Sequence, residues 1–222
     1  MPAPYIDIHT HSSNKDADSI ISIRNVFTGN YPAWDSEGYV SVGLHPWHIK
    51  METRKQDLEN LNHAAQQNNV IAIGEIGLDR AIETPLDLQK KVFESQLAIA
   101  ANNNKPVIIH AVRTYPDIVE VYKKSGVSVK MIFHGFTGNI QTAKQLVGKG
   151  FYLSFGENLF QDIKKTVAVF KHIPIEHIFL ETDEYKKSIV KIYERGSEIK
   201  KTAIENLKSQ IHQNFLNCFR AI

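Results

Sequence analysis

The chain has 222 residues, 42% hydrophobic and 23% charged, ordinary globular values with room for one sizeable core. Its formal net charge of +2 is too small to argue for or against a nucleic-acid partner. The single cysteine, Cys218, excludes an internal disulfide and suits a reducing compartment, and no apolar stretch approaches the roughly 20 residues of a membrane span. The N-terminus enters a strand without a basic and then apolar lead-in, so no secretory leader is expected. These features predict one domain over residues 1–222, cytoplasmic, monomeric and without membrane contact.

In chain order, Tyr5-Ile6-Asp7-Ile8 reads as a buried strand that breaks off at His9-Thr10-His11. Ile20–Phe27 and Tyr39–Gly43 read as the second and third strands, separated only by Ser12–Ser19 and Thr28–Gly38. A parallel crossover normally takes a dozen or more residues. One or two outer helices are therefore expected to be missing here, or one strand to be displaced or antiparallel. Val70–Gly74 is the next strand and ends at Glu75; a helix from about Pro85 to Ala101 follows, with Thr84 as its N-cap and Leu88, Val92 and Gln96 on one face.

Val107–Ile109 ends at His110, and the helix after it, Pro116–Lys124, stops before Gly126. Val129–Phe133 ends at His134, ahead of a helix opened by Asn139 and closed near Gly148. Phe151–Phe155 is a strand, Leu159–Lys171 a helix, and Ile178–Leu180 a strand ending at Glu181-Thr182-Asp183. A last helix, Glu198–Phe219, carries Ile199, Ala203, Leu207, Ile211, Phe215 and Phe219 at i+4 intervals, a core-facing stripe. The alternation of strand and helix predicts an α/β fold of the TIM (β/α)8 barrel type, trimmed or irregular over its first three strands.

Five of these strands end at a histidine or an acid, where the catalytic groups of such folds gather. His9 and His11 lie two apart on an extended segment, so both side chains face one way and can grip one ion. Imidazole suits Zn²⁺, Mn²⁺ or Fe²⁺, while the carboxylates Glu75 and Asp183 widen the choice toward Mg²⁺ or Mn²⁺. With His110 and His134 the set exceeds one tetrahedral ion, and Glu75 can bridge with its two oxygens. Two divalent ions about 3.5–4 Å apart are expected, with water as the nucleophile and Asp183 orienting it and relaying its proton. Glu181 faces the same way and is expected to support a ligand. His63, His172, His177 and His212 are assigned structural roles, and Lys186-Lys187 reads as solvated surface.

The segments Ile6-Asp7-Ile8-His9-Thr10-His11, Val42-Gly43-Leu44-His45-Pro46, Ala72-Ile73-Gly74-Glu75-Ile76-Gly77-Leu78-Asp79, Pro106-Val107-Ile108-Ile109-His110, Phe133-His134-Gly135-Phe136-Thr137-Gly138 and Leu180-Glu181-Thr182-Asp183 occur in that order. On them the chain resembles the TatD family of metal-dependent hydrolases, a branch of the amidohydrolase-like TIM barrels. The resemblance implies His9, His11, Glu75 and Asp183 at one metal and Glu75, His110 and His134 at the other, with His45 lining the substrate pocket and reaching a phosphate. Family members are mostly described as deoxyribonucleases, and some relatives are linked to deacylation of mischarged transfer RNA. Three departures stand out. The region before His45 is short. The arginine that often lies two residues after the fifth-strand histidine is here Arg113, three after. Asp183 is followed by Glu184-Tyr185-Lys186-Lys187 in place of a proline-containing run.

The expected activity is hydrolysis of a phosphodiester in DNA, with Arg113 and the lysines near Lys186 touching phosphate. A metal-dependent ester or amide hydrolase, for example of an aminoacyl-tRNA bond, is the alternative, since the same activated water can attack a carbonyl carbon. A barrel that binds metal or a partner without catalysis is the third reading.

Overall fold

A computed structural model describes residues 2–12, 19–30, 38–161 and 164–219. These residues fall into two compact units, Met1–Arg24 with Ile132–Arg220, and Asn25–Met131. No helix among them is long and apolar enough to cross a membrane.

The first unit opens with β1 (Tyr5–Thr10), which pairs in parallel with β2 (Ile20–Phe27), Tyr5 opposite Ile20 and Thr10 opposite Arg24. The short link is thus spanned by two parallel neighbours, and β2 is not antiparallel; residues 13–18 of the link lie outside the described residues. The unit continues with β6 (Met131–Phe133), β7 (Tyr152–Phe155) and β8 (Ile178–Leu180), again parallel in chain order. Past the end of β8 a parallel bridge joins Asp183 to Thr10, with the Asp183 N–H donating to the His9 carbonyl at 2.9 Å and the His11 N–H to the Asp183 carbonyl at 3.2 Å. The last strand is therefore stitched to the first at the end that carries the histidines.

Four helices cover these strands: α4 (Ile140–Val147), α5 (Lys164–His172), α6 (Ile189–Lys200) and α7 (Ile204–Cys218). Asn139 caps α4 as expected, its side chain accepting from the Thr142 N–H at 2.8 Å. Ile6, Ile8, Phe133, Leu153, Phe179, Leu207, Ile211 and Phe215 are buried, each contributing about 1.5–3 kcal/mol of transfer free energy. Tyr193 on α6 anchors the core to β1, its hydroxyl accepting from the Ile6 N–H at 3.0 Å and donating to the Ile6 carbonyl at 3.2 Å.

Two expectations are corrected in this unit. The helix over Glu198–Phe219 is interrupted: α6 ends at Lys200, Lys201 takes a left-handed conformation at φ 53°, and α7 starts at Ile204. Ala203 is consequently exposed, although Leu207, Ile211 and Phe215 bury as the stripe implies. The helix expected from Leu159 starts at Lys164, with a 3-10 turn over Glu157–Leu159 ahead of it.

The second unit holds β3 (Tyr39–Gly43), β4 (Val70–Asp79) and β5 (Val107–Val112), parallel in that order, with α1 (Arg54–Ala64), α2 (Leu86–Asn102) and α3 (Tyr115–Ser125). β4 is buried along all ten residues and runs on past Glu75 to Asp79, so Glu75 stands within the strand and not at its end. Gly77 makes that possible. Its φ is +146°, and a Cβ there would lie 2.0 Å from the His110 carbonyl oxygen, so only glycine lets β4 run this close to β5. At the start of α2, Pro85 and not Thr84 occupies the N-cap position, and the Thr84 carbonyl accepts from Gln89 Nε2 at 2.7 Å. Gly126 ends α3 at φ 68°, as its spacing predicts. The strand expected over Val129–Phe133 begins only at Met131.

Candidate active site

In the first unit, β1 carries His9 at its buried end, with His11 two residues on. The Nε2 atoms of His9 and His11 lie 3.6 and 3.3 Å from Asp183 Oδ1. The His134 ring sits 4.5 Å from that of His9, centroid to centroid. One donor atom each from His9, His134 and Asp183 fit within 4.8 Å of one another. Burial would raise the Asp183 carboxyl. The hydrogen bonds of His11 and His9 and the charge of His9 and His134 outweigh it and hold the group far below the usual carboxylate range, so it is ionised.

Glu181 supports this cluster from behind. Its Oε1 accepts the Gly135 N–H at 2.6 Å and lies 3.6 Å from His134 Nδ1. Beneath it, Asp7 Oδ1 accepts the Thr182 N–H at 2.9 Å, and Oδ2 accepts the Thr182 hydroxyl at 2.7 Å, which tethers the segment leading into Asp183. A cavity of about 520 Å³ opens beside Asp183, lined by Glu157, Glu181, Glu184, Tyr185 and Lys186 among others. Lys186 and Lys187 are exposed, as expected, and the Lys187 ammonium sits 4.3 Å over the Phe160 ring.

In the second unit, Gln96 on α2 fixes the segment before His45 by exchanging hydrogen bonds with the Leu44 N–H and carbonyl at 2.8 and 3.1 Å. His45 then caps a 3-10 turn, Pro46–His48, its Nδ1 accepting the Trp47 N–H at 3.2 Å. A neutral His45 must therefore carry its proton on Nε2, which faces Glu75 Oε1 at 3.2 Å. Burial lowers the His45 pKa, against the raising effect of Glu75, so the neutral form prevails. Glu75 itself is positioned by Asn25, whose Oδ1 accepts the Glu75 N–H at 2.8 Å.

His110 at β5 lies between two acids. Its Nδ1 is 2.7 Å from Glu75 Oε1 and its Nε2 is 3.1 Å from Asp79 Oδ2. A neutral imidazole has one N–H, so one of its nitrogens faces a carboxylate with a lone pair, an arrangement that suits a bound cation. Asp79 also accepts from Trp47 Nε1 at 2.7 Å and from the Ala81 N–H at 2.7 Å. Burial would raise its carboxyl, but those bonds and His110 bring it below its ordinary value. One donor atom each from His45, Glu75 and His110 again fit within 4.8 Å.

Each expected site residue has a definite place. His9, His11, His134 and Asp183 come together in the first unit, and His45, Glu75 and His110 in the second. Arg113 is exposed just past β5, at φ 57°. His172 and His177 make structural contacts, with Nδ1 atoms 2.7 and 3.0 Å from the Ala168 and Phe151 carbonyls. Asp79 and Trp47 have no role in the sequence reading, and the structure places both against His110. Asp79 shares strand parity with Glu75 and could have been read as facing the same side; an exposed tryptophan leaves no such trace.

The chain matches the family described as TatD related DNase over residues 28–220. It is 33% identical to YabD of Bacillus subtilis, an uncharacterized metal-dependent hydrolase, over 82% of this chain and 77% of that protein. It is 31% identical to YjjV of Escherichia coli, also an uncharacterized metal-dependent hydrolase, over 65% of this chain but only 57% of that protein. The crystal structure of the latter, a TatD homolog, superposes with a TM-score of 0.85 at 22% identity over 100% of both chains. The fold is α/β of the TIM (β/α)8 type, and the family match and the curated relatives make the chain a metal-dependent hydrolase. The chain belongs to the TatD family.

Proposed function

We propose that residues 1–222 act as one domain, a cytoplasmic, monomeric hydrolase that cleaves phosphodiester bonds in DNA with two divalent ions. The observation that carries this reading is the pair of groups in which imidazoles converge on carboxylate oxygens, His9, His134 and Asp183 in one and His45, Glu75 and His110 in the other. Their mixed nitrogen and oxygen donors fit Zn²⁺ or Mn²⁺, and the carboxylates admit Mg²⁺.

In this reading His9, His11, Glu75, His110, His134 and Asp183 would hold the two ions. When bound, such ions supply Lewis-acid activation of water and neutralise phosphate charge. Asp183, ionised by its histidine neighbours, orients the attacking water and accepts its proton. His45 keeps a proton on Nε2, which faces Glu75 Oε1, and in this reading it shares that proton with a phosphate oxygen. Arg113 and Lys186 add positive charge for the substrate backbone.

A second reading is favoured by the cavity beside Asp183, where Glu157, Glu181, Asp183 and Glu184 outnumber Lys186. That lining suits a substrate with an amino group near its reacting bond, such as an aminoacyl ester. Purified protein supplied with Mg²⁺, Mn²⁺ or Zn²⁺ is expected to cleave single- or double-stranded DNA or bis-nitrophenyl phosphate, more slowly as salt rises. Failure on all three removes the phosphodiester reading, and a panel of esters and amides then decides the second.

A further inference from the structure

Among the described residues, Trp47 is the most exposed large apolar side chain, at 62%, yet it is held firmly against the candidate site. Its indole N–H donates to Asp79 at 2.7 Å, and its backbone N–H is fixed by His45. The ring stands nearly perpendicular to His45 at 5.1 Å between centroids and to His110 at 6.0 Å. Anchoring Asp79 does not require it, because Asp79 also accepts from the Ala81 N–H and faces His110. A ring of this size normally stabilises a protein by being buried. Here it is oriented, adjacent to the reacting groups and open to solvent.

We infer that Trp47 is a stacking platform for a nucleobase next to the phosphodiester under attack. The inference rests on the phosphodiesterase reading and adds the residue that grips the base. Stacking on an aromatic face contributes about 1–3 kcal/mol per base and tolerates any base. The only indole donor is engaged by Asp79, so Trp47 has no hydrogen bond left with which to read a base edge. Trp47 therefore binds bases without selecting among them.

The test compares single-stranded oligothymidylate with an abasic oligomer of equal length and charge. The wild-type, metal-loaded enzyme is expected to favour the base-bearing strand in kcat/KM. Trp47→Ala should reduce that preference by about 5- to 100-fold, while Trp47→Phe, which keeps a ring but not the N–H, should retain most of it. In a Trp34→Phe, Asp183→Asn protein, Trp47 fluorescence should be quenched by the oligothymidylate and not by the abasic strand. Equal cleavage of both strands by the wild type, absence of quenching, or an equal loss in Trp47→Phe and Trp47→Ala would overturn stacking while leaving the phosphodiesterase reading intact. A wild-type enzyme that cleaves neither strand would overturn the platform, and together with failure on duplex DNA and bis-nitrophenyl phosphate it would remove that reading as well.

Discussion

Glu181 Oε1 accepts the backbone N–H of Gly135 at 2.6 Å, tying the end of β8 to the turn that begins with His134. Gly135 sits at φ 51°, so this bond fixes a left-handed turn directly beside a candidate ligand. Removing the carboxylate leaves a partly buried N–H without its acceptor, a cost of about 1–3 kcal/mol, and loosens His134. Glu181→Ala is expected to lower both divalent-ion affinity and kcat/KM by about 10–100-fold. Glu181→Gln, which keeps an acceptor oxygen, should recover most of the loss. Unchanged ion titration and rate in Glu181→Ala would detach Glu181 from the site.

His134→Ala and Asp183→Asn are expected to abolish turnover, as should a chelator, with recovery on adding back a divalent ion. The fold should survive, because these groups lie at the strand ends and not in the apolar core. Thermal midpoints of the metal-free variants should stay within about 4 °C of metal-free wild type, the shift of roughly 1 kcal/mol or less. Full activity in either variant would take that residue out of the mechanism.

Asp7 gives the stability a pH dependence of defined sign. Its burial pushes the carboxyl up from 3.8 to about 7, against the bonds from Thr182. The native state thus holds a proton that the unfolded chain releases. The resulting stabilisation is complete below about pH 4 and is lost as pH rises through about 7, a contribution of a few kcal/mol at most. Asn at this position can accept from the Thr182 N–H and donate to its hydroxyl. Asp7→Asn should therefore fold and flatten the decline in thermal midpoint between pH 4 and 7, measured with chelator present. Parallel profiles for wild type and variant would show that Asp7 does not titrate in that range.

Gly77→Ala should damage fold and site together. The added Cβ would meet the His110 carbonyl oxygen at 2.0 Å, and φ +146° is itself unfavourable for alanine. A loss of at least about 2 kcal/mol in denaturant unfolding is expected, with weaker ion binding because β5 and His110 must shift. A variant with wild-type midpoint and ion affinity would mean that β4 and β5 can separate without cost.

The local features of this chain were legible because their causes are local. Short Val, Ile and Phe runs form strands that bury, and Asn139 and Gly126 mark helix ends through their own backbone chemistry. The break at Lys201 was not legible, since Lys200-Lys201-Thr202 contains neither glycine nor proline and the apolar spacing runs straight through it. What closes that turn is Ser197, whose hydroxyl donates to the Thr202 carbonyl at 2.6 Å.

The sequence by itself determined which side chains could carry the chemistry, because a histidine or acid follows each of five buried runs. Their partners were decided only by tertiary structure. His134 meets His9 and Asp183 because a parallel bridge stitches Asp183 to Thr10. His45 and His110 meet Glu75 because Gly77 lets β4 press against β5 and Gln96 holds the Leu44 segment in place. Trp47 carries no mark in the sequence, and the fold fixes it because its indole reaches Asp79 32 positions away. Contacts of that reach depend on how close two backbones can come, which strand periodicity does not record.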